Sequence, residues 1–205
     1  MNIRAVIDFE TTGLSPGLGA RPTEVAIVLV ENGMMVDRFQ SLMNPGVPIP
    51  YDIQALTGIT DKMVKAAPPV ESVMREAAEF VGQHPLVAHN AAFDRKFWDT
   101  ELRHIDRQRD QGFICSMLLA RRIFPEAPNH KLGTLVQSLG LPDTGRFHRA
   151  LADAEAAAYL LLRIESELMH RFRLPAVSHE LLLSIQSANR SKLTSCVRSY
   201  QGARE

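Results

Sequence analysis

Three apolar, β-branched runs stand at the front of this chain, and they limit what the rest of it can fold into. Ile3–Asp8, Thr23–Glu31 and Met34–Met43 are rich in residues that favour a pleated, half-buried surface. Asn32-Gly33, between the second and third, is a pair that turns a hairpin. The Pro- and Gly-rich stretch Asn44–Pro50 closes this β region. Short helices are expected around Asp52–Leu56 and Asp61–Val64. After Pro68-Pro69, the spacing of Val73, Ala77 and Phe80 predicts a helix over Val70–Gly82. Leu86–Ala88 reads as a short buried strand, with Asn90 as the N-cap of a helix running from Ala91 toward Arg107. Phe113–Cys115 reads as a last strand, and helices are expected at Met117–Ile123, Leu132–Leu139 and Leu151–Met169. Three leading strands followed by alternating helix and strand predict an α/β fold with a mixed sheet.

The chain has 205 residues, which suits one domain with an appendage. Pro175 marks the expected division, with a domain over residues 1–175 and a helical tail over 176–205 whose helix spans Ser178–Val197. A content of 45% hydrophobic and 22% charged residues excludes a disordered or fibrous chain. The longest apolar run, Ala156–Ile164, falls well short of the roughly 18 residues of a membrane helix, so no membrane role is expected. Met1-Asn2-Ile3-Arg4 lacks an apolar secretory stretch. Cys115 and Cys196 have no metal-type spacing, which excludes a disulfide scaffold and a Cys-based zinc site and fits a reducing cytoplasm. Charge is uneven: residues 1–170 hold 17 Lys and Arg against 21 Asp and Glu, and residues 171–205 hold six against two. An acidic body with a basic tail fits an acidic metal site with a peripheral basic element, and scattered surface charge accounts for it equally well.

Val6-Ile7-Asp8-Phe9-Glu10-Thr11-Thr12-Gly13 carries the first chemical signal. Strand side chains alternate, so Asp8 and Glu10 share one face while Ile7 and Phe9 share the other. Two carboxylates on one face repel, and either water or a divalent cation must offset that. In His89-Asn90-Ala91-Ala92-Phe93-Asp94 the acid falls in the first turn of the expected helix. There it also suits the helix dipole without any further role. In His148-Arg149-Ala150-Leu151-Ala152-Asp153, the two outer residues are five apart, about 140° around a continuous helix. They converge only if His148 lies on the loop before the helix, which Gly145-Arg146-Phe147 allows. Together, these carboxylates sit at strand ends and helix starts, where α/β sheets build their sites. Four carboxylates and a histidine suit two-metal phosphoryl hydrolysis, with His148 as general base.

At these residues the chain resembles the DEDDh group of DnaQ-like 3′→5′ exonucleases, which includes the proofreading epsilon subunit of bacterial DNA polymerase III. Asp8 to Leu14 matches the D-x-E-T-T-G motif, His89 to Asp94 the H-N-x-x-F-D motif, and His148 with Asp153 the third motif, in order. Asn44-Pro45, Ile49-Pro50 and Leu56-Thr57-Gly58-Ile59-Thr60 are similar too, and the resemblance spans about residues 1–170. It implies a ribonuclease H-like fold, a five-stranded mixed sheet flanked by helices, here with a C-terminal helical extension. It implies Asp8, Glu10, Asp94, His148 and Asp153 as catalytic residues, and two Mg²⁺ or Mn²⁺ ions held by the four acids. Asp8 would bridge the ions, Glu10 and Asp153 would share one, and Asp94 would hold the other. Thr11, Thr12, Gly13 and Leu14 would grip the terminal nucleotide, Leu14 as a wedge against the last base, with His89 and Asn90 on the substrate side. Trp98 and Thr57 depart from the residues common in the family, and neither is a catalytic position. Trp98 reads as a core aromatic.

The expected activity is hydrolysis of phosphodiester bonds at the 3′ end of nucleic acid, single-stranded DNA first, releasing nucleoside 5′-monophosphates. An RNA-trimming enzyme of the same family stands beside it, because the contacts to the 2′-OH that separate RNA from DNA are not visible in the sequence. So does a polymerase accessory module kept for binding. The expected partners are a nucleic-acid 3′ end and a DNA polymerase subunit, and nothing in the chain calls for a homo-oligomer.

Overall fold

The computed structural model describes residues 3–202. Five strands form one sheet: β1 (Arg4–Thr11), β2 (Pro22–Glu31), β3 (Met34–Leu42), β4 (Leu86–Ala88) and β5 (Phe113–Cys115), in the order β3-β2-β1-β4-β5. β1, β2 and β3 pair antiparallel, whereas β4 and β5 run parallel to β1, so the sheet is mixed as expected. Asn32 and Gly33 both take positive φ, 49° and 83°, the twist that a two-residue hairpin requires.

The helices are α1 (Tyr51–Thr57), α2 (Asp61–Lys65), α3 (Val70–Val81), α4 (Ala92–His104), α5 (Ser116–Ile123), α6 (Leu132–Ser138), α7 (Ala150–Phe172), α8 (His179–Ser187) and α9 (Leu193–Gly202). Alternation along β1 divides them between two layers. Ala5, Ile7 and Phe9 face a core shared with Val73 and Met74 of α3 and Phe97 and Trp98 of α4. Trp98 is buried 6.3 Å from the Phe9 ring, the core role expected of it. Val6 faces the other core, with Leu119, Leu135, Leu160 and Leu161 of α5, α6 and α7. Asp8 and Glu10 follow Val6 in the same alternation, which directs them toward the α7 side of the sheet.

Two expectations fail. Asn90 is not an N-cap: its φ is 64°, Ala91 precedes the helix in a right-handed conformation, and no side chain caps it. Asn tolerates the left-handed region, and the chain uses it to turn sharply out of β4. The tail is not one helix either. Ala188 leaves helical geometry, and the Asn189 side chain accepts from the Ser191 amide to start a short 3-10 turn before α9. Asn competes locally for backbone donors, which breaks helices.

The tail packs onto the body. Leu181, Leu182, Ile185, Leu193 and Val197 join the core on the α7 side. Gln186 of α8 accepts from the Cys115 amide at 2.8 Å and donates to the Phe113 carbonyl at 3.3 Å. Its amide thereby satisfies part of the open edge of β5, which would otherwise offer a template for pairing. The terminal charges Arg204 and Glu205 lie outside the described residues, as do Met1 and Asn2. No helix among the described residues is long and apolar enough to cross a membrane.

Candidate active site

The C-terminal end of β1, the start of α4 and the start of α7 meet at one cavity of about 360 Å³. β1 delivers Asp8 and Glu10 from one face. The tight turn after β4 puts Asp94 in the first turn of α4, fully buried, where its Oδ1 accepts from the Phe9 amide at 3.1 Å. That bond staples α4 to β1. Asp153 lies in the first turn of α7, and its Oδ2 accepts from the His148 amide at 2.7 Å. His148 takes φ 63° on the preceding loop, so the two converge by a left-handed turn rather than along a helix. One carboxylate oxygen from each of Asp8, Glu10 and Asp153 lies within 4.8 Å of the others.

Such crowding of like charge raises carboxyl pKa values. Burial, then Asp94, Asp153 and Glu10, hold Asp8 well above the usual carboxylate range. Burial and Asp153 push Glu10 up to about 8. Asp94 and Asp153 are also raised, chiefly by burial. The chain alone does not neutralise this cluster, and its donors are all carboxylate oxygens. That set suits a hard divalent cation such as Mg²⁺ or Mn²⁺.

Thr11, Gly13, Leu14, His89 and Asn90 also line the cavity. Leu14 is 80% exposed, an apolar side chain projecting at the mouth. Thr12 is set apart: it is buried and its Oγ1 accepts from the Arg21 amide, so its side chain fixes the loop. The Thr11 hydroxyl likewise donates to the Gly13 carbonyl at 2.7 Å. His89 has both ring nitrogens engaged, with Ser116 Oγ and the His130 carbonyl, each at 3.0 Å. Burial lowers its pKa to about 4, and Nε2 donates to that carbonyl.

Sequence reasoning missed Glu24. It lies opposite Glu10 on β2 and is 1% exposed. It accepts from Arg149 at 2.9 and 3.1 Å, from the Ala150 amide at 3.1 Å and from Gln40 at 2.9 Å. Although burial opposes it, these donors hold its pKa below the usual value. Glu24 thereby clamps the start of α7, and with it His148 and Asp153, to the sheet. A Glu near the start of a strand of Val and Ile was the available signal. Ile53, Leu56 and Thr57 of α1 and Leu132 of α6 supply the apolar walls.

Comparison with known proteins agrees with this geometry. The family profile described as Exonuclease matches residues 5–161. The chain is 40% identical over 167 residues to DNA polymerase III PolC-type of Bacillus cereus, covering 81% of this chain and 12% of that polymerase. It thus spans about an eighth of such relatives. Among solved structures, it is similar to exonuclease X in complex with 5′ overhanging duplex DNA, with 30% identity and a TM-score of 0.69 over 89% of this chain and 98% of that one. The E. coli exonuclease I complex with a dT13 oligonucleotide shares the fold, with a TM-score of 0.73 at 16% identity over 84% of this chain and 43% of that one.

Proposed function

Because the chain belongs to the exonuclease family, we propose that it removes nucleotides one at a time from the 3′ end of single-stranded DNA, releasing nucleoside 5′-monophosphates. The observation that carries this reading is the convergence of Asp8, Glu10, Asp94, Asp153 and His148 in one cavity with Leu14 at its mouth. A cavity of about 360 Å³ is of the size that holds one small ligand, such as a terminal nucleotide. Exposed Leu14 is placed to wedge against the last base, and the Thr11–Gly13 backbone to meet its sugar.

Asp8, Glu10, Asp94 and Asp153 would hold two Mg²⁺ or Mn²⁺ ions. When bound, such ions neutralise charge developing on the phosphodiester and lower the pKa of the attacking water. His148 accepts the proton of that water. Its exposed ring is free to turn over the cavity because Asp153 grips its backbone amide rather than its imidazole. Buried Asp94, tied to the Phe9 amide, fixes the opposite side of the site.

The DNA-bound exonuclease X and the PolC-type polymerases support DNA over RNA and a polymerase as the partner, and the free thiols Cys115 and Cys196 fit a reducing, cytoplasmic location. Within the chain, residues 1–175 would form the exonuclease domain and 176–205 a helical tail that completes its core. The test is digestion of matched single-stranded DNA, duplex DNA, mismatched-end DNA, RNA and circular single strands, with products sized. The expected result is mononucleotides from DNA 3′ ends, blocked by a 3′-phosphate and abolished by chelator. Preferential RNA trimming would move the assignment within the family, and cleavage of the circle would refute it.

A further inference from the structure

Among the described residues, the lining of the carboxylate cavity contains no lysine or arginine. A nucleic-acid strand brings several phosphates to it. The scissile one has the carboxylates and the ions they would hold, but its neighbours need a cation of the protein. Arg149 is committed to Glu24. Arg146 is exposed, and no hydrogen bond or ion pair to a described residue engages its guanidinium.

Its place is nevertheless set by the loop. Gly145 at φ 99° and His148 at φ 63° turn the backbone sharply on either side of it. Phe147 packs down on α6, its ring 3.4 Å from where a Cβ on Gly133 would stand. Arg146 is thrown the other way, onto the C-terminal end of α1. Its Nη1 lies 3.2 Å from the position of a Cβ on Gly58, whose φ of 74° itself favours glycine, so the guanidinium approaches the backbone closely there. Gly58 directly follows Thr57, a wall of the cavity, and His148 on the same cavity is two residues beyond Arg146. The guanidinium therefore bridges α1 and the His148 loop at the rim.

Resting on the exonuclease reading above, we infer that Arg146 is a substrate-positioning residue that takes a non-scissile phosphate of the strand. A guanidinium fork matches two phosphate oxygens at once, and one without a partner among the described residues breaks no existing bond by turning to them. The experiment compares the full chain with Arg146→Ala on an oligothymidylate and on the p-nitrophenyl ester of thymidine 5′-monophosphate, which has no second phosphate. On the oligonucleotide, KM is expected to rise roughly tenfold with kcat nearly unchanged, as for loss of one charge-assisted contact. The log–log dependence of KM on salt is expected to flatten by about 0.7, the share of one single-strand phosphate contact. Hydrolysis of the ester is expected to stay as in the wild type, and Arg146→Lys to restore part of the oligonucleotide affinity. A methylphosphonate at the linkage before the scissile one is expected to reproduce the loss in the wild type and add nothing in Arg146→Ala. An unchanged oligonucleotide KM would overturn the proposal, as would an equal loss on the ester, which would mean that Arg146 only holds the loop. If the wild type cuts neither substrate, the exonuclease reading fails, and oligonucleotide binding by fluorescence anisotropy still judges Arg146 by the same comparison.

Discussion

At its N-terminal end strand β1 buries Arg4 against Glu165 of α7, and at its C-terminal end the same strand holds Asp8 and Glu10 beside Asp94 and Asp153. The first cluster pairs opposite charges, both buried. Arg4 is 2% exposed and also donates to the Val177 carbonyl, which ties the start of the tail to the sheet. Burial lowers the Arg4 pKa and raises that of Glu165, and each partner opposes the other's shift. Buried His179 beside them has no hydrogen-bond partner for its ring nitrogens among the described residues, and burial and Arg4 lower its pKa to about 4, so it remains neutral. The second cluster is of like charge and opens on a cavity. One strand therefore carries both arrangements: opposite charges buried together offset each other, whereas the like charges at its other end are offset, on the function proposed above, by a divalent cation.

The largest expected effect falls at the C-terminal cluster. Asp8→Asn should lower turnover by roughly 10³-fold or more, as removal of one member of a catalytic unit does. Its free energy of unfolding should be equal to or above that of the wild type, because one repelling charge is gone. Kinetics and urea unfolding on the same preparation check both halves. At the other end the pattern should invert. Arg4→Met or Glu165→Leu alone leaves a buried charge unpaired and should cost about 3–5 kcal/mol, while the double variant recovers most of that loss. Urea midpoints of the singles and the double decide it, and additive losses would mean that the pair is not a closed unit.

A smaller effect separates the clusters by pH. Carboxyls with pKa values raised in the folded chain bind protons more tightly there than in the unfolded chain. The metal-free protein should therefore lose stability as pH rises from the ordinary carboxylate range toward about 8, where Glu10 ionises. Glu10→Gln should flatten that decline, and Mg²⁺ should oppose it. Thermal unfolding across this range measures the slope, and a wild-type slope in Glu10→Gln would break the link to the cluster. The smallest effect is expected at the clamp beside the second cluster. Arg149→Ala leaves Glu24 with its Ala150 and Gln40 donors but without its cation, and should cost about 1–2 kcal/mol. Activity should fall further than stability does, because His148 and Asp153 are then held less firmly, and equal losses would argue against a positioning role.

Much of this was legible in the sequence, for identifiable reasons. Period-two alternation put Asp8 and Glu10 on one face, and the Asn32-Gly33 pair fixed the hairpin that makes β2 and β3 neighbours. The need for His148 to leave the helix followed from the angular spacing to Asp153, and its positive φ meets that need. What escaped depends on pairings made only in three dimensions. Glu24 reads locally as a charge at the start of an apolar strand, and its partners lie 16, 125 and 126 residues away in sequence. Asn90 has the composition of a cap, but the tight exit from β4 demands a left-handed residue, and Asn serves that instead. The bond that the Thr12 hydroxyl accepts from the Arg21 amide, across the turn that leaves Leu14 exposed, is likewise absent from the motif. The apolar stripe of the tail was visible, but its break at Asn189 depends on a local side-chain bond that helical periodicity does not register.

Binding of Mn²⁺ in the absence of substrate, followed by the paramagnetic resonance of the free ion, tests most directly whether the like-charged cluster is a metal site. Wild type, Asp8→Asn and the Arg4→Met, Glu165→Leu double variant are titrated side by side near pH 8. The wild type and the double variant should bind the ion saturably and alike, and Asp8→Asn should bind it far more weakly. Equal binding by Asp8→Asn would contradict the assignment of the cluster at the end of β1 as the place where the cation is held.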